Sequence, residues 1–436
     1  MSDVSAPECE APHEDFAVDG TVGNGSPGST RADDGGAFGL GDSIVLGLLY
    51  FWLTSSIVAM GVALGVGYLP EVPTGAHKFD YDGDFYANWD GQWYKDIARH
   101  GYFYKEHDYS SVAFFPAFPL AGRLVARVTG LREEAALLVV ANVFLAAAFA
   151  LFSVYLRERF PDAPKDFRGY ALLAMGILPT TFFFRMAYSE STFLICQILA
   201  LLGIARRWPL AVVALVIGLG TATRPVGVAL IPALLLYTKD QSATRGGYVL
   251  KSAMLVPLAC WGVAAYMIYQ AVAFGDPIAF ARTQANWAAR TAPSLGAKVV
   301  ALATLEPFWT LYTPSAPGYW GKHTGPLDFP FSLRAADPFF FLGALGLIFL
   351  GFVKKWLSKY EAVTGACLLL IPYWTHGYEQ HLTSMGRFAA AVVPVYPVLG
   401  RIAAAIPAPL VAALAAMSGF LLGAEAAFFV RWHTII

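Results

Sequence analysis

The sequence is short of charge. Of its 436 residues 14% are Asp, Glu, Lys or Arg and 57% are hydrophobic, with a mean hydropathy of +0.52. Soluble domains carry about 25% charged residues, so most of the chain is not built for water. Neither sign of charge is in excess, with 30 Lys plus Arg against 31 Asp plus Glu. No basic field therefore points to nucleic acid, and an anionic partner has to be held locally. Cysteine is scarce as well. Cys9, Cys196, Cys260 and Cys367 are scattered, three of them inside apolar stretches where Cys behaves as a small hydrophobe. This excludes a disulfide framework and a cysteine zinc site. No internal repeat is visible.

Large apolar side chains are also missing from residues 1–42, which are rich in Gly, Ser, Asp, Glu and Pro. Such a segment buries too little surface to offset its ordering entropy, so a disordered acidic tail is expected. It lacks the basic start and early apolar core of a cleaved signal peptide. Beyond it the chain is dominated by long apolar runs. Ile44–Tyr68 is long enough to span a bilayer, and residues 43–436 read as one all-α integral membrane bundle. Further spans are expected near Ala135–Tyr155, Tyr170–Ala187, Ser191–Ala205, Val249–Phe274, Pro338–Val353, Ala362–Trp374, Phe388–Ala404 and Pro409–Val430. Pro209–Tyr237 is interrupted by Thr223-Arg224-Pro225, which suits a broken helix around a protein-lined cavity. The count is roughly nine to eleven spans.

Lys and Arg in short loops set the orientation. Arg157, Arg159, Lys165 and Arg168, then Arg206 and Arg207, then Lys239, Arg245 and Lys251, then Lys354, Lys355 and Lys359 fall on one side if Pro209–Tyr237 crosses twice. That side is expected to be cytoplasmic. The opposite side receives the loop 68–134, the Arg185–Ser191 turn, Gly275–Ala297 and His376–Arg387. Arg123, Arg127 and Arg132 oppose the rule, and the first two are read as snorkelling from an interfacial helix.

The informative stretch runs from Tyr86 to Tyr102 and on through Phe114–Pro119. Trp89, Trp93, Tyr94 and Ile97 recur at helical spacing around Asp90, as in a short amphipathic helix at the membrane interface, capped by Asp90 or Asn88. The flanking aromatics would desolvate Asp90, which suits a general base. Other ionisable groups gather on the same side: Arg185, Glu190, His376, Glu379, His381, Arg387 and Arg224. Polar groups at the edge of an apolar bundle are expensive and point to function. His376, Glu379 and His381 also allow a divalent metal, although Gly377 favours a loop over the helix that would align them; no cofactor is required. Asp80-x-Asp82-Gly-Asp84 departs from a calcium loop in its glycine position and lacks the closing Glu.

Trp89-Asp90-x-x-Trp93-Tyr94 with Ile97-Ala98-x-x-Gly101-Tyr102, followed by Phe114-Phe115-Pro116-x-x-Pro119, resembles the PIG-V-type mannosyltransferases. The resemblance continues in order with Tyr188-Ser-Glu190-Ser-x-Phe193, Thr223-Arg224-Pro225-x-Gly227, Gln284-x-x-Trp287 and Ser384-Met-x-Arg387-Phe388 before Pro394. Val226 replaces the family's Asn, and Phe388 a common Tyr. The resemblance implies a GT-C fold and an inverting transfer of a sugar, mannose in this family. The donor is a polyprenyl-phosphate sugar and the acceptor a hydroxyl of a lipid or cell-envelope glycan, outside a plasma membrane. The Ala- and Gly-rich composition suggests a bacterial one. Asp90 would be the base, as GT-C enzymes place an acidic residue in this loop. Arg387, Arg224 and then Arg185 would hold the phosphate, and Trp89, Trp93 and Trp287 would stack on the sugar or lipid head.

Plainer readings stand beside these. Arg185 and Glu190 would pair at a helix end, Arg224 would hold its broken backbone, and Gln284 and Trp287 would anchor the interface. As a whole, the chain is alternatively a transporter or lipid-linked-sugar flippase using the break in 209–237. That reading expects charges at mid-membrane rather than at one edge.

Overall fold

The computed structural model describes residues 39–72, 85–322 and 331–433. Most of the expected tail, and the Asp80, Asp82 and Asp84 run, lie outside them. The described chain is α-helical with short 3-10 turns, and no strand forms among the described residues.

Helix α1, Leu40–Tyr68, begins inside the stretch expected to be tail, because Asp42 Oδ2 accepts the Gly39 N–H at 2.8 Å and closes the first turn. It packs between α4, Glu133–Arg159, and α18, Ala408–Phe429. Small residues make the contact: a Cβ on Gly61 would stand 2.2 Å from Gly423 O, and one on Gly47 2.4 Å from Phe149 O. Membrane helices have no hydrophobic drive to associate within lipid, so backbone approach of this kind carries their packing. Helix α4 holds Glu133 and Glu134 in its first turn and Arg157 and Arg159 in its last, complementing its dipole.

Between them lie the loop helices α2, Asp90–His100, and α3, Ala117–Thr129. Helix α2 is not laid on an open interface. Trp93, Tyr94, Ile97 and Ala98 are buried, and the helix packs on α3 and α4. Arg123 does not snorkel: its Nε and Nη2 donate to Ala98 O at 2.7 Å and Ile97 O at 2.6 Å, closing the carbonyl end of α2. The expected N-cap is absent too. Trp89 occupies that position with φ of 54° and makes no side-chain cap; Asn88 stands one residue earlier, its amide donating to Phe429 O.

The expected Tyr170–Ala187 span is α5, Phe167–Ile177, and a 3-10 turn, Pro179–Arg185, bent by 76°. Helix α6 is Glu190–Ala205. The expected break in Pro209–Tyr237 is present: α7, Leu210–Thr223, ends before Arg224, a 3-10 turn runs Pro225–Leu230, and α8, Ile231–Asp240, continues. Then come α9, Arg245–Ala259, and α10, Trp261–Phe274, bent by 54°, followed by the short α11, Ala279–Arg282, α12, Leu295–Ala303, and α13, Glu306–Leu311. The last group is α14, Leu333–Val353, α15, Lys359–Pro372, α16, Met385–Ala390, and α17, Val395–Ala405. One continuous helix over Phe388–Ala404 is therefore not formed; Pro394 stands at the junction.

Among the described residues four helices (α1, α4, α14 and α18) are long and apolar enough to cross a membrane, or six spans if each bent pair counts as one. The remaining expected spans are shorter apolar helices, among them α6, α7 and α17. Length and apolarity together make this an integral membrane protein.

The basic turns meet at one end. Arg206 bonds Glu158 at 2.7 and 2.5 Å, Arg159 bonds Glu361 at 3.0 Å, and Lys359 bonds Asp240 at 2.6 Å, joining the ends of α4, α6, α8 and α15. Helix α6 runs from that end to Glu190, about 24 Å away at 1.5 Å per residue.

Candidate functional site

At the far end of α6, four charged side chains drawn from distant parts of the chain join. Arg387, on α16, donates from Nη1 to Asp90 Oδ2 at 2.5 Å and from Nε to Glu190 Oε1. Arg224, at the break after α7, donates from Nη1 to the same Glu190 oxygen at 2.5 Å. Glu190 is fully buried, Arg387 and Arg224 nearly so, and Asp90 is 37% exposed. Two carboxylates thus meet two guanidiniums, which offsets much of the desolvation cost of burying any of them.

Each partner is held by its own local structure. Helix α2 begins at Asp90 because the chain before it is tied down: Ala187 N donates to Tyr86 O at 3.0 Å, and Tyr188 Oη donates to Asn88 O at 2.9 Å. Gly91 lies against the Tyr188 ring, where a Cβ would stand 3.3 Å away. Tyr94 Oη and Ser189 Oγ share a hydrogen bond of 2.9 Å, joining α2 to the start of α6. Burial pushes the Tyr94 phenol up to about 12, so it stays protonated. The Arg387 guanidinium lies 4.6 Å from the Tyr188 ring centroid and 5.4 Å from that of Phe183, within cation–π range.

Beside the network stands an aromatic wall. Trp93 stacks on Phe114 at 5.6 Å and meets Trp287 edge-on at 5.7 Å; Tyr109 meets Trp287 at 4.9 Å. Asn286 Nδ2 reaches Asp108 O at 2.6 Å, and Ala289 N reaches Glu379 O at 3.0 Å. Residues 275–297 therefore bridge the first loop to the segment carrying Arg387. Gln284 is half-buried in this stretch. Trp89 lies to the other side, 5.4 Å from Trp432.

Some expected partners go elsewhere. Arg185 is not part of the network and does not pair with Glu190. It is buried, donating to Ser55 Oγ at 3.0 Å, Thr54 Oγ1 at 2.6 Å and Thr181 O at 3.1 Å, because the 76° bend turns it toward α1. Arg224 spends its side chain on Glu190 rather than on the broken backbone. Glu379 accepts from Lys298 Nζ at 2.5 Å, and His376 Nδ1 bonds the Thr375 hydroxyl at 2.7 Å. Among the described residues no group of three His, Cys, Asp or Glu is placed to hold a metal ion. A cavity of about 650 Å³ opens at the other end of the bundle, among Tyr155, Arg159, Arg207, Tyr237, Asp240 and Tyr360.

The residues that sequence reasoning missed are Ser189 and Asp337; the sequence suggests Asn88 only as a helix cap. Asp337 carried a signal: a lone acid opening the apolar run of α14.

No protein family matches the chain in sequence, and no curated protein does. Solved structures to which the chain is similar include two of one enzyme. One is the Archaeoglobus fulgidus oligosaccharyltransferase tethered with an acceptor peptide, with TM-score 0.40 and 15% identity over 88% of this chain and 55% of that one. The other is the apo form of that enzyme, with TM-score 0.44 and 15% identity over 91% and 56%. The chain spans little more than half the length of the structures it matches.

Proposed function

We propose that the protein is a membrane glycosyltransferase of the GT-C type that moves mannose from a polyprenyl-phosphate donor to a hydroxyl of a lipid-linked or envelope acceptor, on the side opposite the basic turns. One observation carries the reading: Asp90, Glu190, Arg224 and Arg387, each from a separate motif of the PIG-V-type resemblance, form one bonded network.

The chemistry follows from the charges. The acceptor oxygen attacks the anomeric carbon, the bond from that carbon to the phosphate oxygen breaks with inversion, and polyprenyl phosphate leaves with the bonding electrons. The acceptor proton goes to Asp90, the most exposed member of the network. A positioned base of this kind contributes roughly 10²–10⁴-fold. While Arg387 holds Asp90, the guanidinium occupies one of its carboxylate oxygens. A donor phosphate is a better partner for the guanidinium, and its arrival draws Arg387 and Arg224 onto itself and releases Asp90. Glu190 stays behind as the fixed anchor of both arginines. Trp287, partly exposed, offers an apolar face to the sugar or lipid head, with Trp93 packed against it.

The test is transfer of radiolabelled mannose from polyprenyl-phosphate mannose by the purified protein, beside Asp90→Asn. The variant is expected to bind donor and lose at least two orders of magnitude in turnover. A folded Asp90→Asn protein with full turnover refutes the assignment of the base.

A further inference from the structure

The chain just before Arg387 is under backbone strain. His381, Leu382 and Ser384 have φ of 49°, 64° and 66°, a left-handed conformation that residues with a Cβ adopt only when their surroundings insist on it. Backbone bonds from Leu382 N to Gly377 O, Thr383 N to Gln380 O and Met385 N to Leu382 O fold the segment on itself. One carboxylate holds it to the bundle. Asp337, in the first turns of α14 and 1% exposed, accepts the Ser384 N–H on Oδ2 at 2.8 Å and the Gly386 N–H on Oδ1 at 2.7 Å. Both of its oxygens go to backbone, and among the described residues it forms no salt bridge.

We propose that Asp337 is the positioning residue for Arg387, its carboxylate fixing the left-handed Ser384 and the first turn of α16 so that the guanidinium faces Asp90 and Glu190. Residue 386 has no room to move away: a Cβ there would stand 2.9 Å from Asp337 Oδ1, 2.9 Å from the Phe340 ring and 3.0 Å from Thr180. The turn is clamped between α14 and the 3-10 turn that precedes α6. Arg387 then sits one residue past the second Asp337 bond, so slack in that bond passes directly to the guanidinium. The functional consequence rests on the proposed glycosyl transfer, in which Asp337 holds the phosphate-binding arginine without touching substrate.

The experiment compares Asp337→Asn, Ser384→Gly and the two combined, using full-length protein in detergent. Asn keeps the shape and one acceptor but loses the second, so it is the variant that folds. Hydrogen exchange over 381–387 is read alongside kcat and KM for mannose transfer. Asp337→Asn is expected to speed exchange there by at least tenfold, with α1 and α4 unchanged, and to raise the donor KM. Ser384→Gly removes the steric penalty of the left-handed turn, and in the double variant it is expected to restore part of both readouts. Unchanged exchange at 381–387 in Asp337→Asn overturns the proposal, as does a double variant no better than the single one. If wild-type protein transfers no mannose, the enzyme reading fails, while exchange and its rescue still decide whether Asp337 sets the turn.

Discussion

Replacing Glu190 by Gln should be the most informative single change in the protein. Glu190 is fully buried, and one of its oxygens receives both Arg224 and Arg387. The substitution keeps a carbonyl acceptor and nearly the same shape but removes the charge. Arg387 retains Asp90 as a partner, although that pair reaches solvent through the 37% exposed Asp90 and is discounted accordingly. Arg224 retains no carboxylate. Leaving a buried cation uncompensated costs about 3–5 kcal/mol, and the surviving neutral hydrogen bonds offset part of it, so about 3 kcal/mol is expected. That corresponds to roughly a hundredfold change in the folding equilibrium.

The measurement is equilibrium unfolding in mixed micelles for Glu190→Gln, Arg224→Gln and the double variant. If the two charges compensate each other, removing both costs less than the sum of the single changes, with a coupling of about 1–3 kcal/mol. An additive cycle, or a Glu190→Gln cost below about 0.5 kcal/mol as at ordinary surface positions, refutes the network as the thing that holds this end together. Activity gives the second readout. With Glu190 neutral, Arg387 turns wholly to Asp90, and turnover should fall more than donor affinity.

Burial, reinforced by Arg290 and Arg334, holds His381 down at about 4, so its imidazole is neutral in the folded protein. The unfolded chain then binds more protons between about pH 6.5 and pH 4, and stability falls as pH drops through that window; His381→Gln should flatten the fall, and an unchanged pH profile contradicts it. Gly61→Leu should separate α1 from α18, since a Cβ there already meets Gly423 O at 2.2 Å; wild-type thermal stability for that variant excludes the close contact. His107, 91% exposed in the first loop, becomes a topology probe as His107→Cys: labelling by an impermeant maleimide from outside intact cells is expected, and protection there reverses the proposed orientation.

Much of this architecture is legible in hydropathy and charge alone. The break at Thr223-Arg224-Pro225, the basic turns that meet at one end, and the four charged residues that meet at the other are local features with strong physical penalties attached. A charge in an apolar run has few tolerable fates, so its presence predicts a partner. Which partner it takes is another matter. Arg185 and Arg224 look alike as arginines beside short helices, yet a 76° bend sends one to the hydroxyls of α1 and the other to Glu190. Capping failed for a related reason: Asn88 and Asp90 are good caps by type, but contacts from more than 290 residues away in sequence fix both, the Asn88 amide donating to Phe429 O and Arg387 donating to Asp90, and Trp89 takes the cap position.

Backbone strain flanks the network on two sides. The residue before Asp90, Trp89, has φ of 54°, and Ser384, three residues before Arg387, has φ of 66°. Such conformations cost about 1–3 kcal/mol each in side-chain-bearing residues, and the surroundings sustain both. On one side Asn88 is held by Phe429 and Tyr188; on the other Asp337 holds Ser384 and Gly386. An ion pair built only for stability would not require strained backbone on either side of it, because long side chains find one another from relaxed helices. Two rigid mounts are what a site needs if Arg387 must exchange one anionic partner for another without the backbone following it. The rigidity belongs to the mounts and the freedom to the guanidinium.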